Sequence, residues 1–199
     1  MGDVVEKKQE IVSVVEKESK TYGTVLFLKR RCVLQKASSS ELLLEEELDH
    51  VYMLNTGYSP PEKELAFESP VLNGEKSPCW SESVTMDTAA LFRYSALTWN
   101  SHRVHYDPEY ATGKEAYPEV VVHGPLLCTL MLDMFQRRTG MNDGFTFTYR
   151  AVRPLFVSEK IGVWGLPHVD EGGEHVGVKM FATNSQQNVC MQAVAELGV

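Results

Sequence analysis

Cysteine is scarce in this sequence: four in 199 residues, Cys32, Cys79, Cys128 and Cys190, far apart and never in a C-x-x-C spacing. Two lie in apolar runs, which points to buried free thiols in a reducing compartment. Long hydrophobic runs are missing too. The richest apolar stretch has about ten residues, half of what a bilayer-spanning helix needs. Nothing resembles a signal peptide. The start, Met1-Gly-Asp-Val-Val-Glu6, lacks the Ser or Thr expected for myristoylation and is too acidic for an evident mitochondrial transit peptide. Excess positive charge is also lacking. Nineteen Lys and Arg stand against 27 Asp and Glu, for a net charge of -8, which argues against general affinity for nucleic acid. A local basic patch stays open, because Arg93, Arg103, Arg137, Arg138, Arg150, Arg153 and Lys160 all fall in the second half. No short-period repeat or low-complexity tract is visible. What is present is ordinary: 43 % hydrophobic and 23 % charged residues, and a length for one domain, or one plus a fragment.

The chain is organised around Val120–Arg138. A short β-branched run passes through His123-Gly124 and becomes a helix at Pro125, a residue tolerated at a first helical position. From Leu126 to Phe135 nearly every position is apolar, so the helix is expected to be buried on most sides. Arg137 and Arg138 suit the negative end of its dipole, and Gly140 is a natural stop.

Before this helix, Glu10–Glu16 reads as a strand or a helix, Thr24–Leu34 as a strand, and Glu41–Met53 as ambiguous by composition. Their spacing suggests three antiparallel strands. Asn55–Cys79, with four prolines and two glycines, reads as a linker or draped loop. Ser83–Met86 is a candidate strand, Asp87 a candidate N-cap for a helix to Leu97 or Thr98, and Pro108–Ala111 a helical turn. After the central helix, Phe145–Ala151, Lys160–Leu166, His175–Ala182 and Asn188–Glu196 read as strands separated by turn formers. The expected organisation is residues 1–55 as amino-terminal strands, 56–83 as a linker and 84–199 as a second domain. The expected class is α+β, a curled antiparallel sheet around the central helix.

Among six histidines, His102 and His105 lie beside Asn100 and Asp107, and His123 precedes the central helix. A titratable imidazole packed against a helix N-terminus suits chemistry in which a proton leaves while negative charge grows on a carbonyl oxygen. His102-x-x-His105-x-Asp107 is also a conceivable metal set. His123 reads more readily as a packing residue at the helix start than as a catalyst.

The run Tyr94-Ser-Ala-Leu-Thr-Trp-Asn100-Ser-His-Arg-Val-His105-Tyr-Asp107, followed by Tyr117-Pro-Glu-Val-Val-Val-His123-Gly124-Pro-Leu-Leu, resembles the MaoC-like hot-dog dehydratases. Within them it is most similar to the hydroxyacyl-thioester dehydratase type 2 proteins. Arg150-Ala-Val-Arg153-Pro154-Leu extends the likeness, which covers roughly Val84 to Glu196. Asn100 stands where the family has an aspartate, and only the last strands of an amino-terminal hot-dog half are recognisable.

The resemblance implies a hot-dog fold, no cofactor, no metal, and reversible removal of water from a (3R)-hydroxyacyl thioester to give the trans-2-enoyl thioester. It implies His105 as the base, the Gly124 N–H as the donor to the enolate oxygen, and Asn100 as a holder of water or hydroxyl. His102, Asp107 and His123 are left as acid or positioning groups. Arg103 and Arg153 are expected to contact the carrier, either acyl carrier protein or coenzyme A. Pairing as a homodimer and a mitochondrial role in fatty acid biosynthesis also come from the resemblance. The rivals are a thioesterase on the same fold and a non-catalytic thioester-binding protein.

Overall fold

The computed structural model describes residues 4–19, 23–53, 58, 80–141, 144–169 and 171–197. The chain divides into two compact units, Met1–Thr56 and Gly57–Val199. Most of the expected linker, including Cys79, lies outside the described residues.

The first unit is a three-stranded antiparallel meander, β1 (Val5–Ser19), β2 (Gly23–Lys36) and β3 (Leu42–Met53), with β2 in the centre. Both segments of ambiguous composition are strands. Ile11, Val12, Val14 and Val15 suit a pleated ladder, and β1 pairs with β2 from Val5↔Lys36 to Ser19↔Gly23. Opposite charges face each other across the strands: Arg31 contacts Glu45 at 2.5 Å and Glu10 at 3.7 Å, and Lys29 contacts Glu47 at 3.4 Å. Each exposed pair contributes a few tenths of a kcal/mol. Together they favour this register over its one-residue slip. Glu45–Glu47 is a solvated stretch of an outer strand.

In the second unit five antiparallel strands take the order β4-β6-β7-β8-β5. They are β4 (Trp80–Thr85), β5 (Phe145–Ala151), β6 (Lys160–Val169), β7 (His175–Thr183) and β8 (Val189–Leu197). Three helices accompany them: α1 (Thr88–Thr98), α2 (Pro108–Gly113) and α3 (Gly124–Thr139). Alternation along β6 puts Ile161 and Val163 into the core beside Met180 and Met191. Against them α3 lays Leu127, Met131, Met134 and Phe135. The central helix is therefore two-faced, because Thr129, Asp133 and Arg137 on its other side are exposed. Gly140 ends it in the left-handed region at φ 73°.

The β-branched run Val120–Val122 is a buried segment with one bridge, Val121↔Phe156. Three of the second-half arginines that could have joined a basic patch are paired with carboxylates instead. Arg103 pairs with Asp107, Arg137 with Asp133 and Glu82, and Arg138 with Glu82. Cys32, Cys128 and Cys190 are free thiols. Among the described residues no helix is long and apolar enough to cross a membrane.

Candidate active site

Local rules bring the polar segment to the start of α3. Asp87 caps α1 by accepting the Ala90 N–H at 2.7 Å. The helix ends at Trp99, whose left-handed backbone (φ 55°) turns the chain into Asn100–Asp107. There the Asn100 side-chain oxygen accepts the His102 N–H at 3.1 Å. Asp107 caps α2 through the Tyr110 N–H at 3.0 Å and accepts Arg103 Nη2 at 2.6 Å. The guanidinium of Arg103 also lies 4.5 Å from the Tyr110 ring centre.

Two hydrogen bonds then tie the intervening 3₁₀ turn to the segment before α3. The Val121 N–H donates to the Val104 carbonyl at 2.9 Å, and His105 Nδ1 lies 2.8 Å from the Val121 carbonyl oxygen. A carbonyl oxygen can only accept, so Nδ1 carries the ring proton. The lone pair of neutral His105 is therefore on Nε2. Burial pushes the His105 pKa below the ordinary imidazole value, His102 adds in the same direction, and the Val121 bond opposes them.

Behind His105 lies His123, fully buried. The two rings stack with centroids 3.8 Å apart and planes 19° from parallel. His123 Nε2 is 2.8 Å from the Ser95 hydroxyl, Tyr94 meets its ring edge-on at 4.9 Å, and its Nδ1 has no partner among the described residues. Burial, with His105 adding to it, lowers its pKa to about 4. Both imidazoles are neutral at physiological pH.

His105 and Gly124 line one cavity of ≈ 300 Å³. Gly124 opens α3, in the first turn, where amide N–H groups have no helical acceptor and the helix dipole is positive. Ala151–Leu155, Cys190 and Met191 also line the cavity. Burial raises the Cys190 thiol to about 12, so it stays protonated.

The remaining candidates divide. Arg153 joins this cavity. Asn100 does not: it lines a separate groove with Trp99, Ser95 and Phe92, and its amide oxygen is engaged by the His102 N–H. The structure thus places Asn100 on a different groove from the one that His105 lines. Asp107 cannot be the acid, because the Tyr110 N–H and Arg103 hold its carboxyl well below the usual carboxylate range. His102 is exposed, meets His105 edge to face at 5.6 Å, and lies outside the cavity lining. His123 is shielded from any ligand by its burial, leaving it a positioning role. Arg103 is held by Asp107 rather than extended toward a carrier. Among the described residues no three or more His, Cys, Asp or Glu side chains converge as a metal site.

Sequence reasoning did not find Ser95, the Val121 carbonyl or Cys190. A signal existed for Ser95, a hydroxyl one helical turn after Leu91 on the buried face of α1. The acceptor role of a main-chain carbonyl leaves no trace in side-chain identity.

The family model for hydroxyacyl-thioester dehydratase type 2 matches residues 1–157. The chain belongs to this family. The match reaches back through the amino-terminal strands and is not confined to the region after Val84. A mesaconyl-C(4)-CoA hydratase from Chloroflexus aurantiacus is 32 % identical over 157 residues, covering 79 % of this chain and 51 % of that protein. The mitochondrial hydroxyacyl-thioester dehydratase type 2 of Schizosaccharomyces pombe is 33 % identical over 131 residues, 63 % of this chain and 40 % of that protein. The chain thus spans about half the length, or less, of these curated relatives. A Mycobacterium tuberculosis structure with a double hot-dog fold superposes with a TM-score of 0.61 at 11 % identity, covering 98 % of this chain and 70 % of that one. At that identity the likeness shows the hot-dog fold, as expected from the sequence.

Proposed function

We propose that the chain catalyses reversible hydration and dehydration of acyl thioesters, interconverting (3R)-hydroxyacyl and trans-2-enoyl forms within residues 84–199. The observation that carries this reading is the shared cavity of His105 and Gly124, with the Val121 carbonyl fixing the His105 tautomer. In dehydration, His105 Nε2 takes the proton from the carbon next to the thioester carbonyl. The C–H electron pair moves toward the carbonyl oxygen, where the Gly124 N–H stabilises the growing charge. The enolate then re-forms its carbonyl and expels the 3-hydroxyl, to which His105 returns the proton as water leaves. One group moves both protons, which suits a site with no acidic side chain among the described residues of its lining.

That same lack disfavours the thioesterase reading, which needs a carboxylate to activate water. The non-catalytic binder draws on Asn100, whose amide cannot supply a proton. Loss of enoyl absorbance without release of free thiol supports the hydratase. Thiol release supports the esterase, and neither signal supports the binder.

The same reading extends to a coenzyme A or acyl carrier protein thioester, a role in mitochondrial fatty acid biosynthesis and hot-dog pairing as a homodimer. The names of the two relatives support the coenzyme A thioester and the mitochondrial location; the carrier protein, the pathway and the pairing rest on the family resemblance. Subcellular fractionation and sedimentation of the purified chain test location and pairing.

A further inference from the structure

Arg153 is the one charged side chain among the twelve described residues lining the His105–Gly124 cavity. Its neighbours there are apolar side chains, glycine, a neutral imidazole and a protonated thiol. The Arg153 Nε is buried and has no hydrogen-bond partner, and the side chain forms no ion pair with any described residue. Acidic groups are close by, yet no described one forms an ion pair with Arg153, and each has one oxygen engaged by a backbone N–H. Glu119 and Glu159 line an adjoining cavity of ≈ 400 Å³ that shares Arg153 and Pro154. Glu119 accepts the Val120 N–H at 3.0 Å, and Glu159 accepts the Phe156 N–H at 2.9 Å. A buried guanidinium N–H left unmade is costly, and an anion with a planar pair of oxygens is its best complement.

We infer that the acyl group bound beside His105 carries a carboxylate of its own, held by Arg153, which makes the substrate class dicarboxylic half-thioesters. The inference rests on the hydratase reading above and narrows it. The size of the cavity sets the carrier's phosphate aside. That phosphate is separated from the thioester sulfur by more than a dozen bonds, roughly 15 Å when extended. A rounded space of ≈ 300 Å³ is only about 8 Å across. A phosphate reaching Arg153 through this cavity would pull the thioester away from Gly124. A short acyl chain ending in a carboxylate reaches Arg153 with the carbonyl still in place. The leaving 3-hydroxyl is neutral and does not match the charge.

The test compares a matched pair on the full chain: crotonyl-CoA and fumaryl-CoA, which differ by a methyl against a carboxylate. Binding of the unreactive thioethers S-butyl-CoA and S-(3-carboxypropyl)-CoA is measured by calorimetry alongside. Wild-type protein is expected to prefer the carboxylated member of each pair by tenfold or more. In Arg153→Gln that ratio should collapse toward one, and in Arg153→Lys it should survive in part. Equal handling of both members by wild type overturns the inference. So does a parallel loss on both members in Arg153→Gln, which would assign the arginine to the carrier or to the leaving hydroxyl. Because the wild-type ratio needs no variant, misfolding of a variant does not remove the test. Crotonyl-CoA hydration without a carboxylate preference leaves the hydratase reading standing and this inference refuted. A binding preference lost in Arg153→Gln, with no hydration of either substrate, sustains the inference about the ligand and refutes the hydratase reading.

Discussion

His105 and His123 lie face to face, 3.8 Å between ring centroids, the first lining the cavity and the second sealed behind it. The stack holds only while the rings are neutral, because two adjacent imidazolium ions in a dry site repel each other and lack solvation. Stability should therefore depend on pH in a definite direction. The folded-state pKa of His123, about 4, lies below the ordinary 6.5, so the unfolded chain binds more protons between those values. Its contribution is fully present above about pH 6.5 and is lost as the pH falls toward 4. The loss from His123 alone is about 2 kcal/mol between pH 7 and pH 5. Urea melts at the two pH values measure it. His123→Gln, which keeps a polar partner for Ser95 and removes the titration, should flatten the difference.

Ser95 anchors the rear ring. In Ser95→Ala both nitrogens of a fully buried imidazole would lack partners, costing about 1–3 kcal/mol. Ser95→Thr keeps the hydroxyl and should retain part of that stability. An unchanged melting temperature in Ser95→Ala would mean that the bond to His123 Nε2 contributes nothing.

Gly124 separates folding from chemistry. A Cβ built there meets no atom within 4 Å, and its backbone is not in the left-handed region. Gly124→Ala should fold as well as wild type, since alanine is the better helix former. Its methyl would nevertheless stand where the thioester is proposed to approach, so kcat/KM should fall by about 10²-fold, within the range for a disturbed oxyanion donor. Equal loss of stability and activity would contradict that division.

The rate should report the neutrality of His105. The acid limb of kcat/KM is expected below the ordinary imidazole value, because burial lowers the pKa of this group. A limb above about 6.5 would assign the titration to another group.

Much of the fold was legible because it obeys short-range rules. The Asp87 cap, the Gly140 stop and the alternation in Lys160–Leu166 each encode their element within a few residues. The amino-terminal segments were ambiguous for a reason equally local. Leu and Glu favour helix, and only pairing to a neighbouring strand, a long-range contact, overrides that preference. His105 and Gly124 stood out in the sequence because each carries a chemical signature, an imidazole and a helix N-terminus, and the structure puts both on one cavity. Asn100 lines a different groove from His105, because the left-handed turn at Trp99, which sequence distance does not reveal, comes directly before it. The bond from His105 Nδ1 to the Val121 carbonyl depends on two segments 16 residues apart and on a main-chain atom common to every residue.

Hydration of crotonyl-CoA by wild type and by His105→Gln, followed as loss of enoyl absorbance with free thiol monitored in parallel, decides whether this imidazole is the base. Wild type should consume the enoyl thioester without releasing thiol, and the folded variant should be slower by about 10²–10⁴. Near-native hydration in a folded His105→Gln protein would contradict the mechanism.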